Sequence, residues 1–406
     1  MKRVVITGIG IISSIGNNKN EVLKSLKLGQ SGVVLLNEMR LAGMRSHVCG
    51  KVFLNDTIDL DRKIIRFMNQ SSIYAYSAVM QAIKDSLMTQ NIYEYNPRVG
   101  IIVGSSISPP KIHVLALDAL RKKKRVQSIS PYSVIKSMSS SISACLSTIL
   151  KIYGVSYSIS SACATSAHCI GNAVELIQLG KQDIIFAGGA EEFSWELACE
   201  FDAMGVLSTK YNFCPTRASR PFDVCRDGFV ISEGAGILVL EELNHARLRE
   251  VPIYAEIIGY GATSNGYNIV DSKELGVVRA MYESLKFINI NKIDYLNVHA
   301  TSTRNGDIQE LNAICRIFAN DHMPYISATK SITGHALGAA GALEAIYTLL
   351  MLKNNFIAPS ININNLDFFN KKLKIVTKMI KKNISIAMSN SLGFGGVNVS
   401  LVFKKF

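Results

Sequence analysis

The chain has 406 residues, 48% of them hydrophobic, and a formal net charge of +13. This length and apolar content exclude a disordered chain or a small disulfide-stapled fold, and leave room for two domains or one large duplicated unit. The positive balance points to an acidic partner, but charge alone does not choose among nucleic acid, an anionic membrane and an acidic protein.

The opening MKRVVITGIGIISSIG sets two basic residues before an apolar run. The run is rich in Val and Ile and lacks a small-residue cleavage site, so it reads as a first strand at 3–6 rather than a secretory leader. A helix at 18–28 ends at Gly29, and a second at 72–88 puts Ile73, Tyr76, Val79, Met80, Ile83 and Leu87 on one face. Strand-like runs follow at 99–103, 155–159, 183–187 and 236–240. After a charged turn at 244–250 the pattern restarts, with strands at 253–258, 294–298, 325–328, 384–388 and 397–402. Strands alternating with helices predict an α/β fold with largely parallel sheets. The restart divides the chain into halves, 1–250 and 251–406, that share an order of elements but no sequence period.

The segment 155–180, VSYSISSACATSAHCIGNAVELIQLG, changes from strand to helical period within about four residues. Cys163 is expected in the first turn of that helix, where free N–H groups and the macrodipole favour a thiolate. The strand at 325–328 is followed by GHALGAAGALEAIYTLL, a counterpart helix also lined with Ala and Gly. If a pseudo-twofold axis relates the halves, the two helices meet at the centre and aim their N-termini at one pocket.

Eight cysteines form no CxxC pair and no Cys/His spacing suited to zinc, so they read as reduced thiols of a cytosolic protein, with no metal expected. No run reaches the roughly 20 uncharged apolar residues of a membrane helix, and the best candidate, 342–352, carries Glu344. His299, in NVHATST, directly follows a strand, and His335, in KSITGHALGAAG, opens the second small-residue helix. Parallel α/β folds gather catalytic groups at such places. Lys330 begins the segment ending in His335, and position alone leaves open whether it pairs with a buried carboxylate such as Glu344 or lies on the surface. NSLGFGGVN, 390–398, is a Gly-rich turn between strands. Neither it nor GIGIISSIG has the spacing of a nucleotide site.

SSACATSAHCIGNA, FDVCRDGFVISEGAG, HATSTRNGD, KSITGHALGAAGALEA and SNSLGFGGVN resemble, in order, the signatures of 3-oxoacyl-[acyl-carrier-protein] synthases. The likeness covers nearly the whole chain, and MRSHVCGKV, DRKIIRFM and LGKQDIIFAGGAEE bring it nearest to the type I bacterial branch. The resemblance implies the thiolase fold, two βαβαβαββ halves in a five-layer αβαβα sandwich, in a cytoplasmic homodimer. It also implies a decarboxylating Claisen condensation in fatty-acid elongation, in which acyl- and malonyl-acyl carrier protein give 3-oxoacyl carrier protein, CO₂ and free carrier.

No cofactor is implied beyond the carrier's phosphopantetheine arm. By motif match Cys163 is the nucleophile, and His299 and His335 donate hydrogen bonds to the malonyl thioester oxygen. Lys330 tunes the histidines, Glu344 supports them, Thr301 and Thr303 bond the phosphopantetheine arm, and Phe394 is a gate. Backbone N–H groups of Cys163 and Phe394 form the oxyanion hole for the acyl thioester. The acidic partner is then acyl carrier protein, docking on Lys63 and Arg66 and on Lys124 and Arg125 of the basic run 121–125, with no nucleic acid and no membrane insertion. Two histidines also set the chain apart from relatives that use coenzyme A thioesters. Ala300 stands where the family usually has Gly, Leu392 where it has Phe, and Val397 where it has Thr. Ile107, in GSSISPP, stands where type I enzymes tend to have glycine and type II enzymes isoleucine. A type II-like subtype with a different chain-length preference is therefore the alternative.

Overall fold

The computed structural model describes residues 1–54, 60–270, 273–318, 322–367 and 372–406. In the first half, β1 (Val4–Ser13), β2 (Val99–Gly104), β3 (Ser156–Tyr157), β4 (Ile184–Glu191) and β5 (Gly234–Glu242) lie in the order β3-β2-β4-β5-β1. In the second, β6 (Ala255–Ser264), β7 (Tyr295–Asn297), β8 (Tyr325–Ser327), β9 (Ile386–Gly393) and β10 (Val397–Lys405) lie in the order β8-β7-β9-β10-β6. Counted from its own first strand, each half therefore reads 3-2-4-5-1.

The pairing directions repeat as well, and they are mixed where largely parallel sheets were expected. β2 runs parallel to β3 and β4, whereas β5 is antiparallel to β4 and β1. β7 runs parallel to β8 and β9, whereas β10 is antiparallel to β9 and β6. The halves join where β1 pairs antiparallel with β6, through Val5 with Glu256 and Ile6 with Ala255. The pseudo-twofold expected from the restart of the pattern is thus a property of the topology, not of any sequence repeat.

Helices α1 (Gln70–Asp85) and α2 (Ser141–Ile149) cover the outer face of the first half, over a core that includes Ala78, Ile101, Leu146 and Phe186. Helices α4 (Glu274–Leu285) and α5 (Arg304–Ile317) cover the second, over Met281, Leu296, Ile314 and Ile326. Between the sheets lie α3 (Thr165–Gln178) and α6 (Ala340–Asn354), in a central core drawn from both halves. Helix, sheet, helices, sheet and helix make the five layers of a thiolase-like fold.

Small residues let the central pair approach closely. A Cβ built on Gly341 would lie 2.9 Å from the Ala167 side chain, and Ser166 Oγ accepts a hydrogen bond from the Ala342 N–H at 2.9 Å. Every residue from Ala340 to Leu352 is buried, which suits a helix apolar all round.

Away from the cavity, local structure departs from expectation in three places. The strand expected at 155–159 is reduced to Ser156–Tyr157 at the edge of the sheet. The charged turn at 244–250 is largely a helix, Leu243–Leu248, whose His245 N–H is capped by the Glu242 carboxylate at 3.0 Å. The basic run 121–125 closes a helix, Pro110–Lys123, with Lys124 in a left-handed cap at φ 53°.

Candidate active site

Two interrupted turns deliver the reactive side chains. α3 begins at Thr165, so Cys163 precedes the first helical turn instead of lying in it. The reason is Ala162, held at φ 49°, a left-handed conformation uncommon for a residue with a Cβ. The Thr165 hydroxyl at the start of the helix fixes it there. The Ser161 N–H donates to Thr165 Oγ1 at 2.8 Å, and Thr165 Oγ1 donates to the Ala162 carbonyl at 2.7 Å. Ser161 Oγ lies 2.8 Å from His168 Nδ1.

The expected thiolate is corrected too. Burial pushes the Cys163 thiol up to about 12, although Lys330 pulls the other way. Desolvation outweighs the Lys330 charge and the backbone N–H that favour a thiolate, so the resting cysteine is held as a thiol.

The second turn departs from a simple helix start. A short helix, Lys330–Thr333, ends at Gly334, with φ 72° and ψ −172°, a conformation essentially reserved for glycine. A 3₁₀ turn, Leu337–Ala339, then precedes α6. His335 therefore sits ahead of the helix, where its N–H donates to the Val230 carbonyl at 2.8 Å and its carbonyl accepts from the Ser232 N–H at 2.9 Å.

His299 follows β7. Its N–H and that of Ala300 both donate to the buried Glu310 carboxylate, at 2.9 and 2.8 Å. The two imidazole rings lie 5.1 Å apart and nearly perpendicular. Behind them Lys330 Nζ is 2.6 Å from Glu344 Oε1 and 3.3 Å from His299 Nδ1, which makes the lysine a buried member of an ion pair. An ammonium only donates, so His299 Nδ1 is the acceptor and the ring proton resides on Nε2. His335 Nδ1 is buried with no partner among the described residues, leaving Nε2 as the nitrogen that serves the cavity. Burial, reinforced by the Lys330 charge, holds both imidazoles well below the ordinary value of 6.5. Both are neutral. Burial also pushes Glu344 up to about 7 against the pull of Lys330.

Cys163, His299, His335, Thr301, Thr303 and Phe394 line one cavity of about 680 Å³. The Thr301 and Thr303 hydroxyls lie 3.1 Å apart, and Phe394 occupies the turn between β9 and β10. An apolar cluster including Phe201, Phe229 and Leu337 backs the cavity, with Cys163, Phe394 and Ile107 packed against it. The structure thus brings the expected catalytic residues together, with Lys330 and Glu344 directly behind the histidines.

The expected docking residues lie apart from this cavity. Lys63 is exposed on a short helix, Arg62–Ile65, and the exposed Arg66 donates to the Tyr132 hydroxyl at 3.0 Å. Lys124 and Arg125 are exposed at the end of the basic helix.

Sequence reasoning missed the groups that hold the His299 loop. Asp307 accepts from the Ser302 N–H at 3.1 Å and the Phe222 N–H at 2.9 Å, where Ser302 has φ 72°. The fully buried Arg226 donates to the Thr303 and Arg304 carbonyls at 3.2 and 2.9 Å, and lies 3.4 Å from Asp307. Arg226 and Asp307 both fall inside motifs quoted for the resemblance, and that was the available signal. Among the described residues no group of three or more His, Cys, Asp or Glu is placed to hold a metal ion, and no helix is long and apolar enough to cross a membrane.

The beta-ketoacyl synthase N-terminal domain matches residues 1–246 and the C-terminal domain residues 254–364. The chain belongs to the beta-ketoacyl synthase family. It is 61% identical to 3-oxoacyl-[acyl-carrier-protein] synthase 1 of Buchnera aphidicola subsp. Baizongia pistaciae, with all of both chains covered. It is 56% identical to the Escherichia coli K12 protein of the same name, covering 100% of this chain and 99% of that one. Identity to 3-oxoacyl-[acyl-carrier-protein] synthase 2 of Vibrio cholerae is 37%, over 100% of this chain and 99% of the relative. Among solved structures, a beta-ketoacyl synthase from Burkholderia phymatum superposes over both full chains with a TM-score of 0.94 at 34% identity. A type II polyketide ketosynthase, solved in complex with its acyl-carrier protein, superposes over both full chains at 0.91 and 28% identity.

Proposed function

We propose that the protein joins an acyl group carried by acyl carrier protein to malonyl-acyl carrier protein in fatty-acid elongation, giving 3-oxoacyl carrier protein, CO₂ and free carrier. The observation that carries this reading is the pair of neutral imidazoles, 5.1 Å apart, beside a cysteine in one largely apolar cavity. Full-length identity of 56–61% to two type 1 synthases, against 37% to a type 2 synthase, favours the type I branch over the type II-like alternative.

Acylation is a thioester exchange. Cys163 Sγ attacks the acyl carbonyl carbon and the bond to the pantetheine sulphur breaks. The proton lost by Cys163 ends on the departing sulphur, so the step is proton-neutral and compatible with a resting thiol. Malonyl carrier protein then loses CO₂, and the electron pair of the broken carbon–carbon bond becomes an enolate. Nε2–H groups of His299 and His335 donate to the enolate oxygen as charge develops there. Neutral rings suit this role because each presents an N–H without having to ionise, and burial keeps them so. The enolate carbon attacks the acyl-Cys163 carbonyl, whose oxyanion is met by the N–H groups of Cys163 and Phe394. Collapse expels the Cys163 thiolate, which takes up from solvent the one proton that the overall reaction consumes, because burial disfavours its charge.

Lys330 and Glu344 position the histidines, and the Thr301 and Thr303 hydroxyls serve the phosphopantetheine arm. Phe394 gates between acylation and condensation, on a turn where Gly395 and Gly396 both have positive φ. Lys63, Arg66, Lys124 and Arg125 form the docking face for the acidic carrier, a reading favoured by their exposure and by the net charge of +13. The same reading takes the chain as two halves, 1–250 and 251–406, in a cytoplasmic homodimer. The dimer is supported by the exposed apolar residues Leu115, Leu117, Val126 and Val134 in the connection from β2 to the edge strand β3.

The test incubates purified protein with medium-chain acyl carrier protein and malonyl carrier protein, and follows CO₂ release and 3-oxoacyl product. Absence of product with the wild-type chain sinks the reading.

A further inference from the structure

Glu191 ends β4 and is 2% exposed, yet its carboxylate is fully occupied by two segments from different halves of the chain. From the segment after β2, Ser105 Oγ donates to Oε1 at 2.6 Å, and the Ser106 N–H and Oγ donate to Oε2 at 2.9 and 2.5 Å. From the turn before α6, the Gly338 N–H donates to the same Oε2 at 3.0 Å. The contact is tight on both sides, since a Cβ on Gly338 would lie 2.5 Å from the Ser106 nitrogen and 2.7 Å from Oε2.

Each clamped segment delivers one apolar side chain to the cluster behind the cavity. Ser105 Oγ also lies 3.0 Å from the Ile107 carbonyl, and Ile107 packs against the cluster that holds Leu337, the neighbour of Gly338. Leu337 lines the cavity with Cys163. Glu191 itself does not line it. One buried carboxylate therefore fixes how far apart Ile107 and Leu337 stand, on the apolar side where a chain borne by Cys163 must lie. A carboxylate meeting only neutral donors is costly to bury, so its four hydrogen bonds make it a stiff tie.

We propose that Glu191 is a specificity-positioning residue that sets the length of acyl chain the enzyme accepts, by clamping the Ile107 segment against the Leu337 turn. The inference rests on the condensing reading above. With the clamp slackened, Ile107 yields to a longer chain while the reacting groups stay in place.

Glu191→Asp keeps the charge but is one methylene too short to reach both segments. Condensation is measured with hexanoyl- and tetradecanoyl-carrier protein, and the ratio of their kcat/KM values is compared between variants. In Glu191→Asp the ratio should move about tenfold towards the longer chain, a change of the size a few methylene contacts produce. Ser105→Ala, a milder release should the first variant fail to fold, should move it about threefold in the same direction. In an Ile107→Gly background the Glu191→Asp effect should shrink to within about twofold, because the group it acts through is gone. Equal loss with both chain lengths marks Glu191 as merely structural and overturns the inference, as does a full effect in the Ile107→Gly background. Wild-type protein inactive with every chain overturns the condensing reading, and this inference with it.

Discussion

The entrances to α3 and α6 occupy equivalent places in the two halves, each following the third strand and each opening a central small-residue helix. They are built differently. At α3 the half-buried Cys163 follows a left-handed residue, Ala162, held by the Thr165 hydroxyl and the Ser161 N–H. At α6 the turn is buried throughout, and the lysine–carboxylate pair Lys330–Glu344 anchors it from behind. The difference matches the two tasks. On the proposed reading a nucleophile has to reach successive substrates and change covalent partner, and the turn that carries it is held by neutral hydrogen-bonding groups. The histidines have to keep a single charge state, so a fixed cation beside them serves instead. On the proposed reading, one fold used twice divides covalent from electrostatic work.

The sharpest way to break this division is Cys163→Ala. Condensation should fall by at least about 10³-fold, while decarboxylation of malonyl carrier protein persists, because the second-half apparatus is intact. Simultaneous loss of CO₂ release would show that the two entrances do not act separately. His335→Ala should do the reverse, lowering decarboxylation by about 10²–10³-fold, as removal of one oxyanion donor does. Acyl transfer to Cys163, followed by mass of the acyl-enzyme, should be largely spared, and equal loss of both steps would contradict the assignment.

The pH dependence reports the charge state of the two histidines. Both histidines titrate well below 6.5 in the folded protein, so the unfolded chain binds more protons on them as pH falls through 6.5. Their contribution to stability is therefore fully present above 6.5 and is lost as the pH falls towards the folded values. Decarboxylation should show no inflection near 6.5, while the unfolding midpoint falls in acid, less steeply in His335→Asn than in wild type. An activity inflection at 6.5 would mean that a ring is charged at rest. The smallest effects concern the turns themselves. Gly334→Ala should cost about 1–3 kcal/mol by denaturant titration, since its backbone conformation excludes a Cβ. Ala162→Gly should change stability by less than about 1 kcal/mol, because relief at φ 49° is offset by glycine's added unfolded-state freedom.

Much of the architecture was legible because its signals are local. Switches of period located nearly every strand of both halves, and the Ala- and Gly-lined helices at 165–178 and 340–354 marked the centre. Their boundaries were not legible. Nothing in SSACAT announces that Ala162, which is not a glycine, adopts a left-handed backbone and delays the helix past Cys163. The thiolate expectation failed for a related reason: a helix terminus can be read from sequence, but the desolvation that outweighs it depends on what packs around the sulphur. Burial of charge was the other blind spot. Glu191, Arg226, Asp307 and Glu310 look like ordinary surface residues until the fold shows each one occupied by backbone donors or acceptors. Lys330 and Glu344, by contrast, were already visible as a possible pair, and the structure decides for the buried one.

The fully buried run from Ala340 to Leu352 has a consequence for hydrogen exchange. No face of that helix meets water, so its interior amides can open only when the two sheets separate, and they belong with the slowest-exchanging protons of the molecule. Glu344 lies within this run, so the backbone that carries the anchor of Lys330 opens only with it. The amides of the Phe394–Gly396 turn lie outside the strand ladder and can exchange by local opening alone. Deuterium uptake would then separate a rigid floor from the proposed gate at Phe394 within one cavity.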